Sequence, residues 1–299
     1  MQRREFLTLV AGSALAATQP PNIVLIFADD LGYGDLGCYG SNLRTPHIDS
    51  LARDGVRFTN YYSANCVCSP SRASLLTGRY PTRVGVPRVL FPNAVSGLDP
   101  EERTLADLLK ARGYRTKCVG KWHLGDSPAY LPTRRGFDEY FGIPYSNDMV
   151  PRILLKNMDV VQPVADLDTL TQAYTEEAVS FIAASRSSPF FLYFPHTYPH
   201  IPLGASAKFR GKSPQGLYGD VVEELDWSVG QVLAALDKHG LSKDTLVMFS
   251  SDNGPWYQGS PGNLRGRKGS TLEGGVRVPF VAKLPGRIPK GLVVDGTAS

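Results

Sequence analysis

The chain predicts an α/β fold with a largely parallel central sheet flanked by helices. Three observations carry this. Short unbroken apolar runs such as Asn22–Ala28 have the composition of strands buried on both faces. Amphipathic helical stripes fall between those runs, so strands and helices alternate along the chain. Acidic, basic and amide residues stand directly after the runs, where ligands bind in open α/β sheets.

Asn22–Ala28 (NIVLIFA) reads as the first strand. A helix is expected next at Cys68, because Pro70 suits a first turn, where its missing N–H has no partner to lose. Leu75 and Leu76 should lie on its buried side, and Cys68 at its N-terminus, where free N–H groups and the dipole favour an anion. Thr104 caps a further helix with Asp107 three residues on; Leu105, Leu108 and Leu109 share a face, and Gly113 ends it. Tyr114–Val119 is a second strand, Thr171–Arg186 a helix and Phe190–Phe194 a third strand. Val222, Leu225, Val229, Val232, Leu233 and Leu236 form a long helical stripe that stops at Gly240. Thr245–Ser250 and Val276–Leu284 complete the strands, and Pro and Gly cluster at 87–100 and 254–269, which read as loops.

Composition bounds the function classes. The chain has 299 residues, long enough to bury a large core, and 42% hydrophobic and 20% charged residues, ordinary for a soluble globular protein. No stretch approaches the roughly 20 apolar residues of a membrane span. The net charge of +4 comes from interspersed residues with no basic run, so nucleic acid is not an indicated partner. Four cysteines, at 38, 66, 68 and 118, are too few for a disulfide scaffold, and no second Cys pair completes a zinc site. Cys38 and Cys118 read as small buried residues, with pairing left open. Arg3-Arg4-Glu5-Phe6-Leu7 resembles a twin-arginine export motif, and Ala14-Leu15-Ala16 a small-residue cleavage site. Residues 1–16 are therefore read as a signal peptide, and the protein as periplasmic or secreted.

Asp29-Asp30 follows the first strand, Lys121 and His123 the second, His196 and His200 the third, and Asp252-Asn253 the fourth. Four strands delivering such groups past their C-terminal ends describe one polar site. Adjacent carboxylates repel, and a cation relieves them. With Asp252 and Asn253 they form an all-oxygen set suited to Ca²⁺ or Mg²⁺ rather than zinc. Asp-Asp-Leu-Gly and Asp-Asn-Gly are also good turn sequences, so each alone is compatible with a solvated turn. Asp35 reads as a turn or supporting residue, His196 as a neighbour of the site or a structural residue, His47 as a loop residue and His239 as a helix C-terminal one.

Cys68-Ser69-Pro70-Ser71-Arg72, with Leu76-Thr77-Gly78-Arg79 after it, resembles the signature of the type I sulfatases. Asn22–Asp35, Gly120–Gly125 and Gly266–Gly275 resemble further motifs of that family in the expected order, so the resemblance covers about residues 22 to 290. It is strongest to the arylsulfatase A and N-acetylgalactosamine sulfatase members. The resemblance implies an alkaline phosphatase-like fold and hydrolysis of sulfate monoesters, of a sulfated carbohydrate or an aryl alcohol. It implies that a formylglycine-generating enzyme oxidises Cys68 to formylglycine, whose hydrate attacks sulfur. It implies a calcium ion held by Asp29, Asp30, Asp252, Asn253 and the modified Cys68. Arg72 would stabilise charge, Lys121 and Ser146 would hold the sulfate, and His123 would contact a formylglycine hydroxyl. His200 would protonate the leaving oxygen, and Lys268 would bridge that oxygen and the sulfate. Two departures stand out. The segment between Ser146 and Thr171 is short, and the chain stops at Ser299, where members continue with a helix and a smaller C-terminal sheet. Residues 17–299 are thus expected to be a catalytic domain cut short at its C-terminal side. Hydrolysis of phosphodiesters or phosphonate monoesters, and a non-catalytic glycan-binding fragment, stay open here.

Overall fold

A computed structural model describes residues 20–299; the signal-peptide reading of residues 1–16 lies outside the described residues. The described residues form one ten-stranded sheet. Its strands are β1 (Asn22–Ala28), β2 (Val56–Phe58), β3 (Arg115–Val119), β4 (Glu139–Gly142), β5 (Leu154–Lys156), β6 (Asp159–Gln162), β7 (Phe190–Pro195), β8 (Thr245–Ser251), β9 (Phe280–Lys283) and β10 (Leu292–Val294). The spatial order is β10-β2-β9-β8-β1-β7-β3-β4-β5-β6. The central five strands, β8-β1-β7-β3-β4, are all parallel. Antiparallel pairs lie towards both margins: β8 with β9 and β9 with β2 on one side, β4 with β5 and β5 with β6 on the other.

Side chains alternate across the sheet with period two. Val24 and Ile26 of β1 and Leu192 and Phe194 of β7 face one side, against α1 (Pro46–Arg53), α4 (Leu170–Ala184) and α5 (Gly216–Lys238). Leu25, Phe27, Phe191 and Tyr193 face the other, against α2 (Cys68–Thr77) and α3 (Leu105–Lys110). Both faces are covered, which is why these strands read as unbroken apolar runs.

Several expectations shift in detail. The run Val276–Leu284 is not one strand. Val276 ends the short helix α6 (Glu273–Val276), and β9 begins only after Pro279, which has no N–H to give to a ladder. Leu108 of α3 is exposed, while Ala106 and Leu109 carry the buried face. The capping box of Thr104 and Asp107 is present in both directions. In α2, Leu76 is buried and Leu75 half-buried. His47 lies on α1, exposed, rather than in a loop. The weakly patterned tail after Leu284 supplies β10, parallel to β2 at the sheet edge.

Candidate active site

The parallel strands β1, β3, β7 and β8 end on one rim, and the candidate residues stand there. Asp29 and Asp30 follow β1, Asp252 and Asn253 follow β8, Lys121 and His123 follow β3, and His200 lies beyond β7. Gly120 makes the turn after β3 possible. Its φ is +126°, and a Cβ there would meet the Pro195 carbonyl oxygen at 1.8 Å. The same approach lets the Lys121 N–H donate to Pro195 O at 2.7 Å, which aims the lysine inward. Asp30 and His123 both take left-handed backbone, with φ of 63° and 61°. Such strained residues cluster at functional sites.

Cys68 is the first residue of α2, buried, and its thiol donates to Asp29 Oδ1 at 3.5 Å. One turn on, Arg72 is fully buried. Its Nε and Nη2 both reach Asp252 Oδ2, at 3.2 and 2.8 Å, and Nη1 donates to Lys121 O at 3.1 Å. Asp252 Oδ1 accepts the Asp30 N–H at 3.1 Å. Lys121 Nζ donates to Asp29 Oδ2, and to Ser146 Oγ at 3.0 Å. Lys268 Nζ comes in from the loop before α6 and lies 2.7 Å from Asp30 Oδ1. His200 Nε2 is 3.6 Å from Asp30 Oδ2. His123 is buried, with Nε2 3.0 Å from Leu90 O and Nδ1 unpartnered among the described residues.

Three carboxylates thus meet three cations, Arg72, Lys121 and Lys268. Burial works to raise the Asp29 carboxyl, but Lys121, His200, Arg72 and Lys268 together hold it well below the usual range. Burial and the Asp29 charge raise Asp30 against the pull of Lys268. Burial and Asp29 likewise push Asp252 up to about 6, against Arg72. Burial drives the Cys68 thiol up. His200 is pushed down to about 4 by burial, with Lys121 and Lys268 adding to the effect and Asp29 opposing it. Burial, Lys121 and Arg72 hold His123 well below the usual imidazole value.

Carboxylate and amide oxygens suit a hard divalent cation, whereas a thiol and an imidazole suit softer ones. Asp29, Asp30, Cys68 and His200 can each bring one ligand atom within 4.8 Å of the others. Asn253 Nδ2 donates to Asp30 Oδ1 at 2.8 Å, while its buried Oδ1 has no partner among the described residues. Turning that amide over would bring an orphan oxygen to the Asp29 and Asp30 carboxylates, the donor type a hard cation takes. Asp252 stands differently from the other acids, with one oxygen on Arg72 and the other on a backbone N–H.

Some supporting residues were not legible. Asn147 donates from Nδ2 to the carbonyls of His200 and Pro202, at 3.0 and 2.9 Å, and so fixes the His200 loop. Its partners are 53 and 55 residues away, so no local pattern announces it. Ser69 Oγ accepts the Leu90 N–H at 3.1 Å and holds the segment whose carbonyl meets His123. Asp35 takes the supporting role read for it, accepting from Gly32 N–H, Ser260 N–H and the Tyr218 hydroxyl. His196 is buried against Phe194, away from the cluster, with Nε2 3.4 Å from Ser228 Oγ. Cys38, Cys66 and Cys118 are free thiols.

An alkaline phosphatase-like sheet thus gathers a buried cysteine, three aspartates, two lysines and an arginine at its C-terminal rim. The chain belongs to the sulfatase family: the family model described as Sulfatase matches residues 21–299. It is 43% identical to human arylsulfatase A over 327 residues, covering 98% of this chain and 64% of that protein. It is 44% identical to N-acetylgalactosamine-6-sulfatase of Rattus norvegicus, covering 94% of this chain and 60% of the relative. The crystal structure of Ps i-CgsB in complex with k-i-k-neocarrahexaose superposes with a TM-score of 0.86 at 35% identity, over 94% of this chain and 69% of that one. The chain therefore spans less than two thirds of the length of these curated relatives.

Proposed function

We propose that the protein hydrolyses sulfate monoesters of a carbohydrate or aryl alcohol, using a nucleophile made from Cys68. The observation that carries this reading is the position of Cys68, buried at the N-terminus of α2 and hydrogen-bonded to Asp29. Formylglycine at position 68 would supply a hydroxyl nucleophile, and Ca²⁺ held by Asp29, Asp30, Asp252 and Asn253 would supply positive charge beside it.

The remaining chemistry belongs to side chains in place. Lys121 and Lys268, now on Asp29 and Asp30, are within reach of an anion at the same point, and Ser146 adds a hydroxyl. Arg72 contributes fixed positive charge behind the nucleophile. His200 stands over the cluster and would give a proton to the leaving oxygen, and negative charge brought by a sulfate ester favours its protonated form. His123, neutral and with Nδ1 unpartnered among the described residues, would accept a proton from position 68. The formylglycine-generating enzyme is a required partner on this reading. The twin-arginine-like N-terminus supports export to the periplasm or beyond.

The test is release of inorganic sulfate by protein co-produced with a formylglycine-generating enzyme. Paired sulfate, phosphodiester and phosphonate monoester substrates with one leaving group are compared. Faster turnover of the sulfate ester is expected; faster turnover of a phosphorus ester would reassign the activity.

A further inference from the structure

Lys268 connects the buried cluster to an exposed groove. Its Nζ lies on Asp30, while its backbone N–H donates to Pro255 O at 3.0 Å, beside Trp256 and Tyr257. Arg267 ties the same segments together, with Nη1 donating to Trp256 O at 2.9 Å and Gly259 O at 2.6 Å. The two aromatic rings stand nearly perpendicular, 83° apart with centroids 4.9 Å from each other. Tyr257 is 73% exposed and Trp256 37%. The Arg267 guanidinium carbon lies 5.9 Å from the Tyr257 ring, and both hydrogen bonds of that side chain use Nη1 alone. The groove they line measures about 690 Å³, and among the described residues its wall carries Arg267 and Lys268 but no acidic residue.

We propose that this groove receives the leaving-group side of the substrate, and that the substrate is a saccharide chain bearing a further anionic group. The proposal rests on the sulfate-ester reading above and names the substrate class for it. A leaving group attached to sulfur near Lys268 has this wall beside its outward path. Exposed aromatic faces set in a shallow groove suit the C–H face of a pyranose ring on an extended chain, whereas small aryl ligands take enclosed pockets that bury most of their surface. Arg267 leaves Nε and Nη2 for a sulfate or carboxylate on the neighbouring sugar, for which a guanidinium fork is suited. The Lys268 backbone bond and the two Arg267 side-chain bonds that lace 255–259 to 267–268 fix this wall relative to the buried cluster.

The experiment measures kcat/KM of the formylglycine-bearing protein on 4-nitrophenyl sulfate and on sulfated mono- and tetrasaccharides of galactosaminoglycan, heparan and carrageenan type. Wild type is expected to favour at least one tetrasaccharide over its monosaccharide. Tyr257→Ala and Arg267→Gln should each lower the ratio of tetrasaccharide to aryl kcat/KM about tenfold, through KM, as expected for one lost stacking or charge-assisted contact. Arg267→Lys should recover part of the loss, because charge is kept without the fork. A ratio unchanged in these variants, or no tetrasaccharide preferred over its monosaccharide, overturns the groove assignment while leaving the sulfatase reading intact. Release of sulfate from no ester at all overturns the reading on which the assignment rests.

Discussion

Arg72 Nε and Nη2 close on a single oxygen of Asp252, at 3.2 and 2.8 Å, with both side chains fully buried. This pair joins the helix that carries Cys68 to the end of β8. Through Nη1 on Lys121 O it also reaches the turn after β3.

Replacing Arg72 alone would leave Asp252 buried beside Asp29 and Asp30 without its counter-ion. Arg72→Gln is expected to cost about 3–5 kcal/mol, the usual penalty for breaking a buried pair. Adding Asp252→Asn should restore part of that, because the uncompensated charge is gone. Urea denaturation of the single and double variants measures the coupling, and strict additivity would show that the pair is not a unit.

Cys68, and not Cys66, is expected to carry the aldehyde, since the Pro70 and Arg72 offsets fit only Cys68. Peptide mass spectrometry after co-production with the modifying enzyme reads the site directly. Cys68→Ala should abolish turnover. Cys66 serves the structure through its carbonyl, which accepts the Gly269 N–H at 2.9 Å, so Cys66→Ala should retain it.

Calcium should stabilise the fold as well as support activity. Asp29 and Asp30 stand in one cluster with the Asp252 charge near them, and a ligand that binds only the folded state adds about 2.7 kcal/mol at a hundredfold excess over Kd. Chelation is expected to lower Tm, with calcium restoring it. An active preparation free of metal by elemental analysis would refute the assignment.

If His200 donates the proton to the leaving oxygen, its loss should matter most where that oxygen is a poor leaving group. His200→Ala should slow hydrolysis of alkyl-type sugar sulfates far more than that of an activated aryl sulfate. Equal losses would make it a binding residue.

Acid should weaken the fold partly through Glu177. Burial works against its ionisation, but hydrogen bonds and charge from Lys117 and Lys156 outweigh that and leave it below its ordinary 4.5. A depressed carboxyl contributes stability that is present above 4.5 and is lost as pH falls through the lower folded value. Glu177→Gln should therefore flatten the fall of Tm below pH 4.5. It should cost about 1–2 kcal/mol at pH 7, less than a fully buried pair, because Lys117 keeps Glu139 at 3.2 Å.

The interior strands β1, β3, β7 and β8 were legible because both their faces are covered, which demands unbroken apolar residues. The α3 cap was legible because it is made within four residues. Strand ends located Asp29, Asp30, Lys121 and Asp252 for the same local reason. Short margin strands such as Val56–Phe58 and Leu292–Val294 left no such trace, since three residues carry little pattern. The sequence by itself determined which groups stand at the ends of the central strands. Only the tertiary structure decided how they meet. The pairing of Lys268 with Asp30 spans 238 residues, that of Arg72 with Asp252 spans 180, and that of Asn147 with the His200 carbonyl spans 53. Such contacts are set by the parallel stacking of strands distant in sequence, which no local spacing encodes.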